Sequence, residues 1–196
     1  MVFADMKMFR SSITTVLRRK ALHWLVLPSL LLVVLICMMW WWDKEEPLYD
    51  NVAQTRVGAE ARGEQVVVGT LTTDALVQVV DRMLHKRGGY LSNDMLPPGV
   101  LMDNMPNWEF GVLVQSRDLA RALRNGFSRS LTQSIEDEDL AEAEPLLSSA
   151  NDRWLLPSSE SQYSDALIYL ERYRARLQDA HASDAQFYAR ADNLAD

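Results

Sequence analysis

The stretch 163–194, "YSDALIYLERYRARLQDAHASDAQFYARADNL", carries one pattern from end to end. Tyr163, Ala166, Leu170, Tyr173, Leu177, Ala180, Asp184, Phe187, Ala191 and Leu194 follow one another in steps of 3 and 4, and all but Asp184 are apolar. Such steps put side chains on one stripe of an α-helix. The stripe reads as a heptad seam or as the buried face of a long helix in an antiparallel bundle. Ala, Tyr and Phe fill most of it, with Leu only at 170, 177 and 194. That mixture suits irregular packing within one chain better than a parallel coiled coil, whose core positions hold branched aliphatics. Asp184 interrupts the stripe and Ser183 can cap a new helix, so two helices meeting near residue 182 is the alternative. The pattern is still open at Asp196.

A buried stripe needs partners, and upstream segments supply them. "LTTDALVQVVDRMLHKRGG" (71–89) reads as a helix with Leu76, Val80, Met83 and Arg87 on one face and Val77 and Leu84 beside them. Thr72 or Thr73 is its expected cap, and Gly88-Gly89 its stop, where a left-handed backbone is wanted. Val66-Val67-Val68 is either a short strand or the lead-in to this helix. In "WEFGVLVQSRDLARALRNGFSRS" (108–130), Val112, Leu119, Leu123 and Phe127 recur at helical spacing, while the start alternates as a strand would. "IEDEDLAEAEPLL" (135–147) reads as a short acidic helix ended by Pro145, its carboxylates forming a solvated face. In "NDRWLLPSSESQ" (151–162) the chain turns at Pro157, and Ser159 with Gln162 fits a capping box.

Between the first two helices lies "YLSNDMLPPGVLMDNMPN" (90–107). Pro97-Pro98-Gly99 excludes helix, and Asn104 or Asn107 can start the next one. Long loops in compact domains are often functional or disordered. The apolar content (Leu91, Met95, Leu96, Val100, Leu101, Met102, Met105) points to an ordered connector packed on the helices.

Further upstream, Ala21 to Trp42 runs without a single acidic or basic side chain other than His23. At ~1.5 Å per residue such a helix matches a hydrocarbon core of about 30 Å. A signal peptide has a shorter apolar region and a small-residue cleavage site. Here the exit is Met38-Met39-Trp40-Trp41-Trp42, and Cys37 lacks the small neighbours of an acylation site. Trp24 and Trp40–Trp42 lie near the two ends, as interfacial aromatics do. Residues 21–42 therefore read as an uncleaved transmembrane anchor. Lys7, Arg10, Arg18, Arg19 and Lys20 precede it, and Asp43-Lys44-Glu45-Glu46 follows. The positive flank stays in the cytoplasm, so the C-terminal bulk is expected outside. That part holds 26 of the 27 acids and 15 of the 20 bases, a net of −11. Such a charge disfavours nucleic acid as a partner and gives no sign of binding anionic lipid through the domain. It holds no cysteine, so it suits an oxidising compartment without forming disulfides.

Chemistry-bearing motifs are sparse. His23, His85 and His181 show no metal-ligand spacing, and His85 suits a helix C-terminus as a surface residue. The acidic run lacks the loop glycine and ligand order of a calcium hand. Nucleophile elbows, phosphate loops and dinucleotide fingerprints are absent. Asp94, Asp103 and Glu109 flank the connector and can in principle do acid–base work. Trp108 and Trp154, beside prolines, read as core anchors for a loop, with ligand-facing rings as the alternative. No catalytic, cofactor-binding or metal residue is selected, and no cofactor is implied.

The stretches "GGYLSNDMLPPGVLMDNMPNWEFGVLVQSRDLARALR", "NDRWLLPSSESQY" and "QFYARADNL" resemble an uncharacterised family of Gram-negative bacteria, a domain of unknown function. The resemblance implies a single-span inner-membrane protein with a periplasmic, mainly helical domain. It also implies more helix after "ADNL", hence a truncated chain. It supplies no activity and no site residues.

The expected fold is thus mainly α: one N-terminal transmembrane helix, then a bundle-like helical domain with a long ordered connector. The expected organisation is a basic cytoplasmic N-terminus (1–20), a transmembrane helix (21–42), a polar stalk without sustained period (43–64) and a periplasmic helical domain (65–196). The expected role is a non-catalytic, membrane-anchored envelope protein presenting its domain to a protein partner or to a second copy. The alternative is a periplasmic hydrolase-like enzyme acting on a cell-wall or lipid precursor through carboxylates near residues 90–109.

Overall fold

A computed structural model describes residues 24–44, 50–63, 66–129, 135–179 and 185–189. The chain divides into two units, Met1–Trp42 and Asp43–Asp196. The described part of the first is one helix, α1 (Trp24–Trp42), long and apolar enough to cross a membrane and with none of its residues buried. It runs unbroken through Pro28, and its N-terminal extension to residue 21 lies outside the described residues.

The second unit is built from α2 (Asn51–Arg62), α3 (Thr70–His85), α4 (Asn104–Ala122), α5 (Glu138–Leu147) and α6 (Ser159–Gln178), with no strand among the described residues. The mainly helical expectation holds. α6 packs on α3 and α5, α4 packs on α3 and α5, and α2 packs on α3. Tyr163, Ala166, Leu170 and Tyr173, the first four residues of the stripe, are completely buried in a core with Leu76, Val80, Met83, Leu113, Leu123, Leu140 and Leu147. The stripe is satisfied inside the chain, and apolar burial of this kind is the main favourable term in folding.

The seam ends sooner than its spacing suggests. α6 stops at Gln178, and residues 185–189 are not helical, so neither one long helix nor a new helix through Phe187 is found. Positions 180–184 and 190–196 lie outside the described residues. Phe187 instead stacks on Phe127, centroids 5.0 Å apart, and covers Gly69, whose φ of +93° and lack of a side chain make room for the ring. The end of α4 widens into a π turn (Leu123–Phe127), and the Phe127 carbonyl accepts the Tyr188 N–H at 2.7 Å.

Other boundaries also shift. Within the stretch 43–64 read as a stalk lies the helix α2, capped by the Asp50 side chain, with Thr55 and Ala59 buried. Its polar sequence hides a helix because, among positions 52–61, these two are the buried ones. α3 begins at Thr70, so Thr72 and Thr73 are inside it and do not cap it, while Gly88 and Gly89 are left-handed as expected. Val66–Val68 is lead-in, not strand. α4 is helical from Asn104, including the stretch with strand-like alternation. Pro145 does not end α5. It sits within the last turn, and the helix closes two residues later as the Ser148 N–H reaches the Glu144 carbonyl at 3.0 Å.

The acidic run is not a uniform solvated face. Asp137 caps α5, accepting the N–H groups of Asp139 and Leu140 at 3.1 Å each. Asp137 and Asp139, both buried, also hold Arg176 of α6 at 2.8 and 2.5 Å. Glu136 and Glu144 grip Arg124 at 2.7 and 3.0 Å. At the far end of α6 the cap is Ser158, accepting the Ser161 N–H at 3.2 Å. Ser159, one residue later than a capping box would place it, is buried and ties the preceding loop together through Ala150 and Arg153.

Candidate functional site

The connector begins where α3 ends. Lys86 follows the last turn of α3, and the two left-handed glycines reverse the chain so that Leu91 and Ser92 face the second turn of α4. There Glu109 is fully buried and receives four donors. One carboxylate oxygen accepts the Lys86 ammonium and the Leu91 N–H (2.8 Å). The other accepts the Ser92 N–H (2.8 Å) and the Ser92 hydroxyl (2.5 Å). Lys86 also donates to the Gly89 carbonyl. A carboxylate has about four lone-pair sites, so none is left for a substrate proton. A buried ion pair is tolerable only with such complete hydrogen bonding.

Of the three carboxylates flanking the connector, the structure brings two into mutual influence. Asp94 is half-buried against Gly99, whose missing side chain leaves the space it occupies. Burial raises the Asp94 carboxyl above the usual range, and the negative charges of Glu109 and Glu160 add to this. Asp103 stays exposed at the start of α4 and makes no side-chain cap. Among the described residues no group of three His, Cys, Asp or Glu side chains is arranged to hold a metal ion. His85 is exposed at the end of α3, 2.9 Å from Asp81; His23 and His181 lie outside the described residues.

A second loop joins the same end. The Tyr90 hydroxyl donates to the Asn151 carbonyl (2.9 Å), and the Asn93 amide to the Arg153 carbonyl (3.3 Å). The Tyr90 ring meets Tyr163 edge-on, centroids 5.6 Å apart. Burial above all pushes both phenols up, so neither serves as a base near neutral pH. The expectation that the connector packs its apolar side chains inward is met only in part. Tyr90, Leu91 and Met105 are buried, but Met95, Leu96, Val100 and Leu101 are exposed. Trp108 and Trp154 are exposed as well and are not core anchors. What orders the loop is Glu109, because its carboxylate gathers two successive N–H groups that no helix satisfies.

Glu109 was visible in the sequence as a candidate acid, but its partners were not. Lys86 had one faint signal, being one of only two lysines among the 15 bases beyond residue 42. Ser92 had none. Comparison with known proteins finds no match among curated proteins or solved structures. Residues 17–196 match the family DUF2333, described as an uncharacterized protein conserved in bacteria, and the chain belongs to that family.

Proposed function

We propose that the chain is a non-catalytic, single-pass protein of the bacterial inner membrane that holds a helical domain in the periplasm for contact with an envelope protein or a second copy. Residues 1–20 would be cytoplasmic, 21–42 would span the bilayer, and the domain would begin at α2. The unburied apolar surface of α1, its tryptophans and the basic flank support the anchoring. The observation that carries the non-catalytic reading is the saturation of Glu109, the one completely buried carboxylate among Asp94, Asp103 and Glu109. An acid or base must reach the proton it transfers, and this one is occupied on every side.

The hydrolase-like alternative keeps one point in its favour, the raised Asp94 carboxyl near the surface. Crosslinking in intact membranes, followed by identification of the attached proteins, tests the interaction reading. A discrete attached envelope protein or a crosslinked dimer supports it, and a chain that stays uncoupled contradicts it. In a deletion strain with a measurable defect, full complementation by a chain carrying Asp94→Asn and Asp103→Asn removes the alternative.

A further inference from the structure

We infer that the connector and the loop 151–160 together form a docking surface for a polypeptide segment of another envelope protein, one whose apolar side chains are flanked by Lys or Arg; the inference rests on the interaction reading proposed above. Met95, Leu96 and Leu101 are exposed in the connector, and Trp154, Leu155 and Leu156 in the second loop. Leu96 is 77% and Leu156 90% accessible. The hydrogen bonds from Tyr90 and Asn93 to residues 151–153 hold the two loops side by side. Single exposed apolar residues are ordinary, whereas a set gathered at one place marks an interaction site. The exposure is built into both backbones. In the connector the Asp94 N–H reaches the Leu91 carbonyl at 3.0 Å, the Leu101 N–H the Pro98 carbonyl at 3.0 Å and the Met102 N–H the Gly99 carbonyl at 2.9 Å. In the second loop the Ser159 N–H reaches the Arg153 carbonyl at 2.9 Å, and the Ser159 hydroxyl accepts the Arg153 N–H at 2.9 Å. Side chains held outward on a braced backbone lose little freedom on binding, which favours contact.

Charge says what covers the surface. Residues 90–103 and 151–160 carry four acids, Asp94, Asp103, Asp152 and Glu160, against one base, Arg153. Asp94 directly precedes Met95, and Asp152 sits between the two residues whose carbonyls Tyr90 and Asn93 grip. The Asp94 carboxyl, raised first by burial, is raised further by Glu109 and by Glu160, so charges of the two loops act on one another. Elsewhere in the domain acids are matched: Arg174 holds Asp74, Arg176 holds Asp137 and Asp139, and Arg124 holds Glu136 and Glu144. Among the described residues no ion pair takes up the four acids of the two loops. A second copy meeting this surface about a two-fold axis would set one acidic rim against another, and an anionic bilayer would add negative charge of its own. Like charges brought together cost binding free energy, whereas Lys or Arg on the partner gains it and steers the encounter. The exposed Trp154 offers such a cation an aromatic face as well.

The test places the photo-crosslinking residue benzoylphenylalanine at position 96, 156 or, as a control on the outer face of α6, 171 of the full chain in living cells. Adducts are purified and the attached segment is mapped by mass spectrometry. The expected result is one other protein attached from both 96 and 156 and not from 171, through a segment with Lys or Arg within a few residues of the crosslinked side chain. Asp103→Asn together with Asp152→Asn, two exposed acids outside any cap, should lower the adduct yield severalfold, and Glu160→Gln alone should lower it in the same direction. Attachment to a second copy, to phospholipid or to a segment without basic residues overturns the inference, as does a yield that the charge variants leave unchanged. Empty positions 96 and 156 overturn it too. In that case amine crosslinking that still attaches an envelope protein elsewhere on the chain leaves the interaction reading standing, and its failure removes both.

Discussion

Removing the charge of Glu109 leaves the Lys86 ammonium buried, its side chain 2% exposed, without a counter-charge. Breaking a buried pair in this way costs about 3–5 kcal/mol. Glu109→Gln should therefore lower stability by about that much in denaturant titration, and a loss under ~1 kcal/mol would show that the clamp on Leu91 and Ser92 contributes little. Asp94 behaves in the opposite sense. Its folded-state carboxyl is raised, so folding disfavours its ionised form. The penalty is absent below the ordinary value of 3.8, grows as pH rises past it, and is complete above the raised value. Asp94→Asn should raise Tm at pH 7, with the gain shrinking as pH falls and vanishing below about 3.8. At this scale the sequence was a poor guide. Glu109, Lys86 and Ser92 meet across a reversal that spacing does not encode, and the exposed Trp108 and Trp154 run against the usual burial of aromatics.

Elements were more legible where one face is buried and less where a few residues decide. The stripe through Tyr163, Ala166, Leu170 and Tyr173 and the face of α3 were readable because helical period and burial coincide. The cap shift from Ser159 to Ser158 and the earlier start of α3 were not, because several neighbouring Ser and Thr residues offer equivalent caps. α2 was missed since, among positions 52–61, Thr55 and Ala59 are the buried ones. Even the acidic run was misread, because its ion pairs reach 37 and 39 residues forward to Arg176. The intramolecular seam makes a definite prediction. Leu170→Asp together with Leu177→Asp introduces charge into a packed core without partners, so the domain should lose its cooperative thermal transition. A variant that keeps the transition and merely passes from dimer to monomer by light scattering would make the stripe an oligomer interface.

On the scale of the whole molecule, an apolar helix and a helical domain form two units joined by a short polar link. The family match over residues 17–196 includes both. Length and apolarity made α1 readable as a helix able to cross a bilayer, because a span must be apolar along its whole length. The direction of crossing that we propose rests on the asymmetry of Lys7, Arg10, Arg18, Arg19 and Lys20 against Asp43-Lys44-Glu45-Glu46. The locked connector and the domain's negative charge acquire their proposed meaning only if the domain is exported. Fusion of alkaline phosphatase after residue 60, beside a cytoplasmic fluorescent reporter at the same position, tests this most directly. The account predicts an active phosphatase and a dark reporter; an inactive phosphatase with a bright reporter would contradict it.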